Sequence, residues 1–274
     1  MTAAQGMLNA TRALAAICFM AALGGIGQLA LAMDSTATYE ALKKELSPIV
    51  GGRNKLELQK AMEASLRGDY ATELRIARPL AEAGDQYAQF ALGMMYEQGE
   101  GVPQNRAEAI KWYQKAADQG HPSAQSDLAY LYEHGEGVPQ DLAKAVVFYK
   151  AAAERGLAEA QYNLGTLYSK GKGVPKDNNE AVKWLRLAAK QGEGVAQINL
   201  GHMYASGLGV TKDYYRAYVW FKLATVSDVL VTDELKGKAN ALRSVVTKRL
   251  SQQQIAQAEQ LVNDCLQRHY SGCD

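Results

Sequence analysis

AQFALGMMYEQGEGVPQNRAEAIKWYQKAADQG (residues 88–120) is followed by AQSDLAYLYEHGEGVPQDLAKAVVFYKAAAERG (residues 124–156), and laying one over the other decides the organisation of the chain. A step of 36 residues carries the first stretch onto the second, and the same step continues twice more. Ala88, Ala124, Ala160 and Ala196 are each followed by Gln; Leu92, Leu128, Leu164 and Leu200 keep the register, as do Tyr96, Tyr132, Tyr168 and Tyr204. Then come the Gly-x-Gly pairs at 99/101, 135/137, 171/173 and 207/209, each followed by Val. The second half of each unit repeats Ala109, Ala145, Ala181 and Ala217, then Trp112, Phe148, Trp184 and Trp220, then Ala116, Ala152, Ala188 and Ala224. A fixed period of this length is the signature of a repeat architecture.

Spacing within one unit predicts its structure. Ala88, Leu92 and Tyr96 stand four apart, one stripe of a helix. A small residue beside the Leu (Gly93, Ala129, Gly165, Gly201) lets a second helix approach closely. Gly-x-Gly-Val ends the first helix, because glycine accepts the left-handed conformation a C-cap needs. Pro103, Pro139 and Pro175 then forbid its continuation. Asn105, Asp141, Asp177 and Asp213 suit the N-cap of the second helix, and Glu108 and Glu180 add capping-box spacing in two units. The second helix carries the Ala, Trp/Phe and Ala positions on one face and closes at Gly120, Gly156 or Gly192. One such hairpin cannot bury its own apolar stripe, so neighbours must stack.

Ala-x-x-Leu-Gly-x-x-Tyr, Gly-x-Gly-Val-Pro-x-Asp and Ala-x-x-Trp-x-x-x-Ala-Ala with a closing Gly resemble the Sel1-like repeat, a relative of the tetratricopeptide repeat. The resemblance implies an all-α, right-handed α-solenoid of stacked helical hairpins with C-terminal capping helices. Four repeats are expected at 84–119, 120–155, 156–191 and 192–227, behind a degenerate first hairpin at 56–83 whose turn is Gly68-Asp69-Tyr70. Residues 228–274 read as capping helices, with Ser251 and Gln254 in capping-box spacing for the last one.

In tetratricopeptide-like geometry the first helices line a concave face. With Leu92 and Tyr96 fixing the register, the resemblance points Tyr87, Phe90 and Met94 inward, then Ser126, Tyr130, Glu133 and His134, then Tyr162 and Thr166, then Ile198 and His202. Framework positions repeat and these do not. Phe90, Met94, Tyr130, Tyr162 and Ile198 are expected to form an apolar strip bordered by Glu133, His134 and His202, suited to an amphipathic helix or an extended peptide. The Trp positions are expected to be structural. The implied activity is non-catalytic: a scaffold, adaptor or regulator that binds another protein or peptide, such as an envelope or membrane sensor protein. Family resemblance offers two alternatives, a structural part of an envelope secretion, exopolysaccharide or motility assembly, and an enzyme acting on β-lactams or peptidoglycan.

Little supports the enzyme. His121, His134, His202 and His269 are scattered with no metal-ligand spacing, and no Gly-rich phosphate loop or Gly-x-Ser-x-Gly is present. Ser169-Lys170-Gly171-Lys172 satisfies Ser-x-x-Lys, the motif of penicillin-recognising enzymes, but falls between two helices without its companion motifs. No metal and no cofactor is implied.

Composition sets the compartment. Thirty basic against 29 acidic side chains leave a formal charge of +1, with no excess to neutralise phosphates. Residues 1–32 have Arg12 as their only charge, an apolar run from Ala13 to Leu23 and the small-x-small sequence Ala30-Leu31-Ala32. This is the pattern of a cleaved signal peptide, with cleavage between Ala32 and Met33 and a spacer over 33–55. The protein is therefore expected to be exported, periplasmic or secreted, without a membrane span once cleaved. In an oxidising compartment the two tail cysteines, Cys265 and Cys273, are expected to pair.

Overall fold

The computed structural model describes residues 54–226, 232–268, 270, 272 and 273. The signal segment, its Ala32/Met33 cleavage point, nearly all of the 33–55 spacer and His269 lie outside the described residues. Among the described residues there are twelve helices and no strand. The chain divides in sequence after Arg155 into two compact units.

The first unit contains α1 (Lys55–Leu66), α2 (Tyr70–Glu82), α3 (Gln86–Gln98), α4 (Arg106–Asp118), α5 (Pro122–His134) and α6 (Leu142–Glu154). Each consecutive pair forms a hairpin, and α2 packs on α3 as α4 packs on α5. The second unit contains α7 (Ala158–Lys170), α8 (Asn178–Ala189), α9 (Gly194–Ser206), α10 (Tyr214–Val226), α11 (Asp233–Thr247) and α12 (Gln252–Gln267). Here α7/α8 and α9/α10 are hairpins, and α11 and α12 both pack on α10.

The repeated residues account for this order. Helices α3, α5, α7 and α9 end on Gly99, Gly135, Gly171 and Gly207, each left-handed with φ between 67° and 76°. The following helices begin on Asn105, Asp141, Asp177 and Asp213, whose side chains accept the backbone N–H three residues on at 3.0–3.1 Å. The same four residues donate their own N–H to the carbonyls of Tyr96, Tyr132, Tyr168 and Tyr204 at 2.8–3.0 Å. That bond draws the loop back onto the first helix. The capping boxes expected at Glu108 and Glu180 do not form. Glu108 pairs instead with Lys111 at 2.5 Å, and Glu180 with Lys183 at 3.2 Å and the Trp184 indole at 3.1 Å, because both partners lie one turn ahead on the same helix. The box at Ser251 and Gln254 is complete.

Close approach of the paired helices depends on the small residue beside the Leu. A Cβ on Gly93 would stand 2.5 Å from the Tyr113 ring, and one on Gly201 2.7 Å from that of Phe221. The Gln of each Ala-Gln pair is buried, and within each unit it joins successive hairpins. Gln89 donates to the Ala81 carbonyl at 3.1 Å, Gln125 to Ala117 at 3.2 Å and Gln197 to Ala189 at 3.1 Å, in each case a group eight residues back. These carbonyls end the preceding helix and would otherwise lack an intrahelical donor. Two of the glutamines are held in turn by another, Gln119 on Gln89 at 2.7 Å and Gln191 on Gln161 at 2.8 Å.

Candidate functional site

With the turn inside every repeat hairpin explained by the framework, the outer faces of α3, α5, α7 and α9 carry the side chains that differ from repeat to repeat. The structure sorts the expected binding residues into two groups. Phe90 (1 % exposed), Ser126 (3 %) and Ile198 (3 %) are core residues. Phe90 is enclosed by Tyr113 and His121, at ring-centroid distances of 5.6 and 4.6 Å. Ile198 packs in the core of the second unit. The expected strip therefore loses Phe90 and Ile198, and the groove loses Ser126 as well, because in three of the four repeats the position two residues before the framework Leu turns into the packing; at Tyr162 it is only half-buried.

The other residues reach solvent. In the first unit Tyr130 is exposed at 46 %, the only exposed aromatic side chain among the described residues. Its ring stacks on His134 with centroids 4.1 Å apart, and the His134 Nδ1 lies 3.0 Å from the Tyr130 carbonyl oxygen. Glu133, half-buried, stands beside them on the same turn, and Tyr87 and Met94 are half-buried on α3. In the second unit Tyr162 and Thr166 are half-buried on α7, and His202 is exposed on α9. Cys265 and Cys273 are joined, with Cα atoms 5.4 Å apart, and both are buried against the core of the second unit.

Sequence spacing left one role unread. His121 is the N-cap of α5: its Nδ1 accepts the Ala124 N–H at 3.3 Å while its ring lies on Phe90 and edge-on to Tyr87. Burial pushes its pKa down to about 4, so the ring stays neutral, as an accepting nitrogen requires. Asp85 and Glu193 hold the same place in their repeats, capping Tyr87 and Ala88 in one case and Ala196 in the other. At the fourth such place Leu157 offers no side-chain cap. A histidine is outside the usual capping set, and alignment of position 121 with Asp85 and Glu193 was the signal that pointed to it.

Ser169 of the Ser-x-x-Lys match donates its hydroxyl to the Thr166 carbonyl at 2.9 Å, a bond within α7. Among the described residues no group of His, Cys, Asp and Glu side chains is placed to hold a metal ion. No described helix is long and apolar enough to cross a membrane.

The Sel1 repeat family model matches residues 86–121, 122–157, 158–193 and 194–225, just over half of the chain. The chain belongs to the Sel1 repeat family. These repeats begin two residues later than the boundaries set by the sequence period, at the first residue of each leading helix. A Sel1 repeat protein of Oxalobacter formigenes is similar in structure, with a TM-score of 0.59 and 28 % identity over 70 % of this chain and 85 % of that one. A protective antigen of uropathogenic Escherichia coli with the same kind of fold shows 27 % identity and a TM-score of 0.49, over 89 % of this chain and 63 % of that one. No curated protein matches the chain in sequence. Sel1 repeats generally mediate protein–protein interaction and are generally non-catalytic scaffolds.

Proposed function

We propose that this Sel1 repeat protein is an exported adaptor or regulator that binds a segment of an envelope or membrane sensor protein through the exposed side chains of its first helices. The observation that carries the reading is the contrast on those helices. The framework alanines and leucines repeat and are buried, whereas Tyr130 and His134 in the first unit and His202 in the second differ between repeats and face solvent. A rigid, stacked Tyr130–His134 pair bordered by a carboxylate is the kind of anchor on which binding energy concentrates. The apolar leader ahead of Met33 and the joined tail cysteines favour the exported compartment.

Crosslinking of the tagged chain in the periplasm tests this. One dominant envelope protein is expected, and Tyr130→Glu with His134→Ala should reduce its capture roughly tenfold or more while leaving the helical circular dichroism unchanged. Equal capture by that folded variant overturns the reading of the surface.

A further inference from the structure

The first unit contains a side-chain arrangement that the repeat framework does not explain. Between α1, α2 and α3 lies a cavity of about 40 Å³ walled by Leu58, Met62, Ala77, Ala91, Met94 and Met95. Glu73 of α2 closes it. This carboxylate is only 7 % exposed, and its Oε2 has no hydrogen-bond partner. Glu100, in the loop after α3, lies at the same cavity and adds a second negative group. A carboxylate buried among methionines and alanines with one oxygen unpartnered is costly unless it holds a proton or something of opposite charge completes it. Burial, with Glu100 adding to it, holds the Glu73 carboxyl up at about 7, against the pull of the Ser65 hydroxyl.

We infer that this cavity receives the lysine side chain of a partner protein, its methylene stem lying on Met62, Met94 and Met95 and its ammonium meeting Glu73 Oε2. Three features select this occupant. The volume holds a few heavy atoms in line, one side chain rather than a cofactor or a helix. An apolar wall ending in an acid matches a group with an apolar stem and a cationic tip. An ammonium has three donors, which Glu73, Glu100 and water satisfy, whereas the five donors of a guanidinium would be left partly unpaired against alanine and methionine. The methionines adjust to the stem without a fixed shape of their own. The inference rests on the protein-binding reading for the source of the lysine.

Two probes of equal length, n-butylammonium and 1-butanol, test the pocket on the purified full-length protein, read by the ε-methyl NMR signals of Met62, Met94 and Met95. Butylammonium should shift these methyls at roughly tenfold lower concentration than butanol, the effect of one charge-assisted hydrogen bond. Glu73→Gln should abolish the preference and lower partner capture in the crosslinking assay. Equal response to both probes, or no response at the three methyls, overturns the pocket. The comparison on the unaltered protein stands even where Glu73→Gln does not fold. Absence of any captured protein overturns the interaction reading instead, and the two-probe titration still decides the pocket.

Discussion

The two units treat their terminal hairpins in opposite ways. In the second, α11 and α12 pack over α10, so that Trp220, Leu223 and Val219 are wholly buried and Tyr218 donates to Glu259 at 2.5 Å. Burial of the ring, with the bond to Glu259 and its charge, pushes the Tyr218 hydroxyl up to about 12. In the first, α1 and α2 keep the hairpin form but not the framework side chains: Leu56 is 63 % exposed, and the space beside Glu73 is unfilled. A cap that completes a core and a hairpin that leaves room in one are different solutions to the same problem of ending a stack. The lesson is that one unit closes its end with a filled core and the other leaves space at its end.

Substitutions at the two places should differ most. Trp220→Ala is expected to destabilise the second unit by about 3–5 kcal/mol, whereas Leu58→Ala beside the cavity should cost nearer to 2, since α1 covers a site already loosely filled. Urea midpoints of the single variants measure both, and equal losses would remove the contrast.

The next effect is one of pH, and in the first unit it comes from two buried groups. Glu73 keeps a proton between about pH 4.5 and 7 that the unfolded chain releases, so its contribution to stability falls as pH rises through that window, by about 3 kcal/mol. His121 behaves oppositely. Below about pH 6.5 the unfolded chain binds a proton that the folded ring refuses until about pH 4, so stability falls by a similar amount on acidification. Where the windows overlap the slopes oppose. Glu73→Gln should therefore expose a loss of stability toward acid, and His121→Asn, which retains a capping side chain, a loss toward neutral pH. Denaturation midpoints between pH 4 and 8 decide this; two variants parallel to the parent would break it.

The smallest effect concerns helix starts. Asp85→Ala removes two capping bonds and the 3.1 Å bond from Asn54, and should cost the first unit about 1–2 kcal/mol. Leu157→Ala, at the uncapped start of α7, should cost less than 1 kcal/mol, the loss of a half-buried side chain. Thermal melts of the pair sharpen the comparison.

How far these features were legible follows from their physics. Left-handed glycines, the Asn/Asp caps of the second helices and the Ser251–Gln254 box depend on local conformation, and short spacings reveal them. The placing of Phe90, Ser126 and Ile198 depends on how many neighbours cover a first helix, which a single helical stripe does not express. Glu108 and Glu180 had two local partners each, and the lysine one turn ahead prevailed over the backbone. His121 and the Gln bonds needed the repeats to be compared with one another rather than read one at a time. Glu73 was beyond reach for a different reason: α2 has drifted from the repeat, so no register marks an acid there as buried.

The Gln bonds across eight residues also bear on how such a chain is lengthened. Each ties the end of one hairpin to the start of the next through a donor and an acceptor that both travel within any copied 36-residue segment. A duplicated repeat therefore arrives with its own junction, and nothing in the older copies must change to receive it. The short turn spanned by the bond tolerates no insertion, because one added residue would move the amide off its carbonyl.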